Sequence, residues 1–208
     1  MKIKNIILDL GGVLLNIDYH LTISSFKSLG IENFEELYSQ ANQSNLFNDF
    51  ETGHIERDEF IEGIAKGLPN SVSQKALVDA WNAMLLDFPE ERLAFLLQLK
   101  EKYNTVLLSN TNTIHLEFFH KQLKAVHKID SLDNHFNTTY FSCDMKMRKP
   151  NPEIFLKVCK EEDFNPKETL FIDDSIQHVE GAKIAGLHAY YLDVKTNNII
   201  DLLNSLLA

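Results

Sequence analysis

The chain has 208 residues, 44% of them hydrophobic, which suits one large domain or one domain carrying an insertion and excludes general disorder. Its formal net charge of -10 argues against broad binding to nucleic acid or to an anionic membrane, because either would need a basic face to displace counterions. An acidic protein that handles an anionic substrate must gather positive charge locally, from a metal ion or from a few Lys and Arg.

Residues Met1 to Asn5 lead into a short apolar stretch that ends at Asp9, too short for a signal-peptide core or a membrane span, so a cytoplasmic location is the expectation. Ile6-Ile7-Leu8 is a continuous, partly β-branched apolar run bounded by Asp9 and Gly11-Gly12, which predicts a strand buried on both faces. Residues 17–87 break the strand–helix alternation. Phe60, Ile61 and Ile64 have helical spacing and Gly30, Gly53 and Pro69-Asn70 are breaks, so the segment is predicted to be a helical cap folded over the sheet edge. The core is then 1–16 and 88–208. Leu93, Leu96, Leu97 and Leu99 predict a helix over roughly 90–102, and Thr105-Val106-Leu107-Leu108 a strand ending at Ser109-Asn110. Pro152 opens a helix over 152–163, Thr169-Leu170-Phe171-Ile172 is a strand ending at Asp173-Asp174, and a helix over 176–185 stops at Gly186. Ala189-Tyr190-Tyr191-Leu192 is a last strand, ending at Asp193. The order predicts an α/β fold, a three-layer Rossmann-like parallel sheet with an inserted helical cap, whose strand-end polar residues converge on one ligand-binding edge. The Asn-rich stretch from Asn42 to Asn48 is too brief for a low-complexity tract, and Cys143 and Cys159, with neither zinc spacing nor disulfide density, are expected to be reduced.

Asp9 directly follows a buried strand and precedes Gly11 and Gly12, so the backbone can turn sharply and an anion can approach the carboxylate, as a nucleophile requires; by itself it could equally cap a turn. Asp173 and Asp174 are adjacent carboxylates after another buried strand, and their repulsion calls for a hard cation such as Mg²⁺ unless one of them is a helix cap. Lys149, just before a helix start, and Ser109, at the end of a strand, are suited to binding phosphate oxygens and neutralising a transferring phosphoryl group. Taken together they make a phosphoryl-transfer site.

Asp9-Leu10-Gly11-Gly12-Val13-Leu14, Leu108-Ser109-Asn110, Arg148-Lys149-Pro150 and Asp173-Asp174 resemble, in order and over essentially the whole chain, the four motifs of the haloacid dehalogenase-like hydrolases. The resemblance is nearer to the subgroup with a small helical cap, which includes sugar-phosphate phosphatases. It implies that Asp9 is the nucleophile, that Asp9 and the Gly11 carbonyl ligate Mg²⁺ and that Asp174 with Asp173 completes the metal site. It also implies that Ser109 and Asn110 hold phosphate and that Lys149 orients Asp9 and phosphate. The expected activity is Mg²⁺-dependent hydrolysis of a small phosphate monoester, a sugar phosphate among the candidates, through an aspartyl-phosphate.

Two departures stand out: Gly11 occupies the place of the second Asp that usually acts as general acid and base, and Lys146 stands where relatives often have Gly. Losing a general acid costs roughly 10²- to 10⁴-fold in rate. The enzyme is therefore expected to be slow or restricted to good leaving groups, unless Asp18 or His20 reaches in. Trp81, Phe88 and Phe95 read as packing of cap and hinge, His54, His115, His120 and His127 as surface residues, and Glu51 to Glu56 as a turn between cap helices whose side chains could line the pocket. Haloacid dehalogenation is the alternative chemistry, disfavoured because Arg57 is the first arginine and none early in the cap can receive a substrate carboxylate. A phosphate-binding regulatory protein without turnover is the other alternative; Gly11 favours it and intact Asp9 and Lys149 disfavour it.

Overall fold

The computed structural model describes residues 2–31, 34, 45–66 and 72–208, so the break at Pro69-Asn70 and the first part of the Asn-rich stretch lie outside the described residues. Four strands form where the apolar runs lie: β1 (Asn5–Leu8), β2 (Asn104–Ser109), β4 (Thr169–Asp173) and the half-exposed β5 (His188–Tyr191). A further strand, β3 (Thr138–Phe141), was not anticipated. The sheet is parallel throughout, in the order β3-β2-β1-β4-β5.

Both faces of the sheet are covered, as a parallel sheet requires. Alternate strand residues divide between two apolar clusters. Ile6, Leu8, Leu107, Leu170 and Ile172 pack against α5 (Glu90–Lys100), α6 (Thr113–His127) and α10 (Ile199–Leu207). Ile7, Val106, Leu108 and Phe171 pack on the other face, against α8 (Pro152–Glu161) and α9 (Ile176–Ile184). Each such fully buried side chain contributes about 1.5–3 kcal/mol. Helices α6 and α10 were absent from the sequence reading, whereas α5, α8 and α9 start at the expected residues and end one or two residues early. Asn151 caps α8 by accepting from the Glu153 N–H, and Pro152 occupies its first turn, where no N–H is needed.

Between β1 and α5 lie α1 (Tyr19–Ser28), α2 (Leu46–Glu51), α3 (Arg57–Ala65) and α4 (Gln74–Asn82). They surround an aromatic-rich cluster of their own, in which Phe50 and Phe60 stack at 4.0 Å and Trp81 meets Phe60 edge-on at 5.1 Å; Ile114 of α6 joins it to the rest. The chain leaves and re-enters the sheet unit side by side. Ile17 bridges Leu85 in antiparallel fashion, and Asn16 and Asp18 bond to the backbone of Leu86, Asp87 and Met84. Among the described residues, no helix is long and apolar enough to cross a membrane.

Candidate active site

β1 is the central strand, paired on one side with β2 and on the other with β4, and the strand order reverses there. That is the topological switch point, where the carboxyl ends of such strands open a crevice. Asp9, Ser109 and Asp173 emerge from the ends of these three neighbouring strands. The Asp9 N–H still donates to the Ile172 carbonyl at 3.0 Å, after which the chain turns through residues 10–15. Gly12 has φ +74° in this turn, and a Cβ there would lie 2.1 Å from Asp174 Oδ2. Glycine therefore serves two needs, a left-handed conformation and room for a carboxylate.

Lys149, with no side-chain exposure at all, joins the strand ends: its Nζ donates to Asp9 Oδ1 and to Asp173 Oδ2, both at 2.6 Å. Burial alone would lower its pKa, but the Asp173 and Asp9 carboxylates outweigh that and raise it, so it stays charged. Asp173 has three kinds of partner. Besides Lys149, its Oδ1 accepts from the Ser175 N–H at 2.8 Å, and His178 Nδ1 lies 3.0 Å from both of its oxygens. Burial works to raise its pKa, yet Lys149 and His178 hold it below the usual carboxylate range. Asp9 has Lys149 alone, and burial together with the Asp173 and Asp174 charges pushes it up. Burial and the charge of Asp173 raise Asp174 to about 6.

Asp9, Asp173 and Asp174 each offer one oxygen, all within 4.8 Å of one another. Hard carboxylate donors at that spacing, with one cation for three acids and two of them pushed up in pKa, fit a divalent ion such as Mg²⁺. Since the Asp173 oxygens already serve Lys149, Ser175 and His178, Asp9 and Asp174 are the freer donors.

Asn110 has a role in the fold of the site that the sequence did not show. Its side chain donates to the Lys149 carbonyl and accepts from the Lys149 N–H, both at 2.9 Å, so its amide fixes the loop that carries Lys149. A cavity of about 370 Å³ opens beside these residues and is bounded by Leu10, Gly11, Ser109 and Asn110 on the sheet side. Ile17, Trp81, Met84 and Leu85 add apolar wall, which gives Trp81 a place beside the cavity as well as in its cluster. Gly11 has no positive φ, but a Cβ there would lie 2.4 Å from Ile17 Cδ1: an apolar side chain fills the space beside it.

Several sequence readings require correction. Asp18 caps α1, its carboxylate accepting from the His20 N–H at 2.9 Å, and His20 is exposed; neither lines the cavity. His115 is buried rather than on the surface. It contacts the Trp81 carbonyl and Asn112, and burial lowers its pKa to about 4. Phe88 belongs to the sheet cluster. Glu51 lines the cavity, as the reading of Glu51 to Glu56 allowed, whereas His178 and Ile17 were not singled out; a His five residues after Asp173, in the first turn of the next helix, was the available signal for the former.

The sequence profile of the haloacid dehalogenase-like hydrolases matches residues 3–186. A D-ribitol-5-phosphate phosphatase from Bacteroides thetaiotaomicron is 28% identical over 90% of this chain and 91% of its own. A sesquiterpene phosphatase from Aspergillus oryzae is 29% identical over 91% and 89%. A haloacid dehalogenase family enzyme from Bacteroides thetaiotaomicron, crystallised with magnesium and inorganic phosphate, superposes with a TM-score of 0.86 at 40% identity, over 96% of this chain and 98% of that one.

Proposed function

This chain belongs to the haloacid dehalogenase-like hydrolases, and from that premise we propose that it hydrolyses a small phosphate monoester with Mg²⁺ through an aspartyl-phosphate on Asp9. The observation that carries the reading is the Asp9 carboxylate, held by a fully buried lysine beside two further carboxylates, with Leu10, Gly11 and Ser109 next to it lining a cavity. Asp9 attacks phosphorus. Lys149 keeps one Asp9 oxygen in place and lends charge to the phosphoryl oxygens, while the Ser109 hydroxyl holds one of those oxygens. Asn110 acts indirectly, by fixing the Lys149 backbone. Asp9 and Asp174, with the Gly11 carbonyl that the family resemblance adds, would hold Mg²⁺, and Asp173 behind them ties Lys149 to the site. When bound, Mg²⁺ offsets the repulsion between Asp9 and the incoming phosphate and polarises a phosphoryl oxygen.

Residues 17–87 act as a cap that closes on the core, 1–16 and 88–208, and keeps bulk water from the intermediate; the paired crossing at Ile17 and Leu85 is the natural hinge. A phosphorylated polyol or sugar is the substrate that the ribitol-phosphate phosphatase points to. The acidic charge supports a small-molecule partner rather than nucleic acid, and two buried, unpaired cysteines support a reducing, cytoplasmic setting.

Phosphate release from a panel of monoesters, with a haloacid included, tests the reading. Excess chelator is expected to stop release, and full activity in chelator would refute it. Added Mg²⁺ is expected to raise the Tm, more at pH 8 than at pH 5, because protons compete for Asp174 below about 6. The sign follows from linkage. A carboxyl raised in the folded state costs stability as pH climbs through its folded value, and the ion removes that cost. Equal Tm gains at the two pH values would count against these ligands.

A further inference from the structure

We propose that Glu51, at the end of α2, is the general acid and base of the reaction, supplying from the cap the carboxyl that Gly11 lacks. The inference rests on the phosphatase reading above. With Ile17 Cδ1 occupying the space beside Gly11, and Asp18 committed to a helix cap, the proton must come from another wall of the cavity. Of the described residues lining that cavity, Glu51 is the one carboxylate. The other titratable groups there are less suited. His115 has both ring nitrogens engaged and is held neutral by burial, and Tyr19 is 65% exposed.

Glu51 is anchored beside the chemistry at two points. Its carbonyl accepts from the Ser142 hydroxyl at 2.6 Å, and the Ser142 Oγ in turn accepts from the N–H of Thr111, two residues beyond Ser109, at 2.9 Å. Its carboxylate faces Arg148, the neighbour of Lys149: Nη1 lies 3.0 Å from Oε2, yet the alignment is not that of a hydrogen bond, so Oε2 is buried without a donor. Two residues on, Gly53 has φ +60° and sits so close to the Cys143 carbonyl that a Cβ would approach it to 2.2 Å, which seats the α2–α3 turn on α7 (Ser142–Met145). Burial pushes the Glu51 carboxyl up in pKa against the pull of Arg148, His178 and Lys149, as a proton donor needs. Glu51 and Ser109 line the same cavity, the space open to the organic part of a phosphate held at Asp9 and Ser109.

The step balances. Asp9 attacks phosphorus, the bond to the organic oxygen breaks with its electron pair on that oxygen, and the Glu51 carboxyl protonates it to give the alcohol. The Glu51 carboxylate then takes a proton from the water that attacks the aspartyl-phosphate. The bond to Asp9 breaks, and inorganic phosphate, the Asp9 carboxylate and the Glu51 carboxyl are restored.

Glu51→Gln separates this role from a purely structural one. An alkyl phosphate is expected to lose roughly 10²- to 10⁴-fold in kcat/KM, whereas 4-nitrophenyl phosphate, whose leaving group needs no proton, stays within about tenfold. With that aryl ester the variant is expected to release about one equivalent of nitrophenolate in a burst and then turn over slowly, since water attack still lacks its base. Glu51→Asp is expected to restore part of the alkyl activity. Equal losses on both esters without a burst would overturn the assignment and leave Glu51 as a latch to Arg148. No loss at all would overturn it too, and a wild type inactive on every monoester would remove the phosphatase reading along with it.

Discussion

Asp9→Asn is expected to lower phosphate release by at least about 10⁴-fold, the scale on which removing a nucleophile usually registers. An amide oxygen in the same place can still accept from Lys149 Nζ, so the geometry persists, but it cannot form the aspartyl-phosphate. The fold is expected to survive, and stability in chelator supplies a second readout. Burial and two neighbouring acids raise the pKa of Asp9 above its unfolded value in spite of Lys149, so its ionised form lowers stability as pH rises from the ordinary carboxylate range. A neutral Asn removes that cost. The variant is therefore expected to gain Tm relative to wild type between pH 5 and pH 8, and residual turnover above about 1% in a protein that melts normally would sink Asp9 as nucleophile.

Asp9, Ser109 and Asp173 were legible because a strand buried on both faces must read as a short apolar run, and its first polar residue then marks the sheet edge. β3 escaped because Thr138-Thr139-Tyr140-Phe141 is an edge strand, half-buried along its length, and carries no such run. Helix α6 has its buried residues at Ile114, His115, Phe119 and Leu123, with polar and basic residues between, and gave a weaker stripe than α5. Within the site, the motif resemblance located Lys149, but what it touches is tertiary: 140 residues separate it from Asp9. The same holds for Glu51, which reaches the cavity only because Gly53 allows the α2–α3 turn to seat against Cys143. Asn110 adds a further tertiary role: the motif resemblance implied a phosphate ligand, and the fold shows in addition that its side-chain amide bonds the Lys149 backbone.

Lys149→Met is expected to remove both activity and a large part of the stability. Methionine fills a similar volume, so packing changes little, but Asp9 and Asp173 lose the cation they share at 2.6 Å. Turnover is expected to fall by about 10³-fold or more, since one donor aimed at developing phosphoryl charge is alone worth roughly 10²- to 10³-fold and the nucleophile is misplaced as well. Removing one partner of a buried ion pair costs about 3–5 kcal/mol at neutral pH, because the remaining charges stay buried and uncompensated. That cost depends on pH in a direction fixed by linkage. With Lys149 gone, Asp9 and Asp174 lose the cation that opposes their upward shifts, and Asp173 loses the charge that does most to hold its pKa down. Protonation therefore favours the folded variant more than the wild type, and its stability falls further as pH rises. In the wild type Lys149 is raised above its ordinary value, so its contribution is complete below about 10.4 and is lost only as pH rises beyond that. The gap between the two proteins, measured by denaturant unfolding in chelator, is therefore expected to be widest near pH 8 and to narrow toward pH 5. Mg²⁺ should narrow it as well, by replacing part of the missing charge. A gap of the same size at pH 5 and pH 8 would mean that Lys149 stabilises by packing alone, and that the three carboxylates do not depend on it for their ionisation.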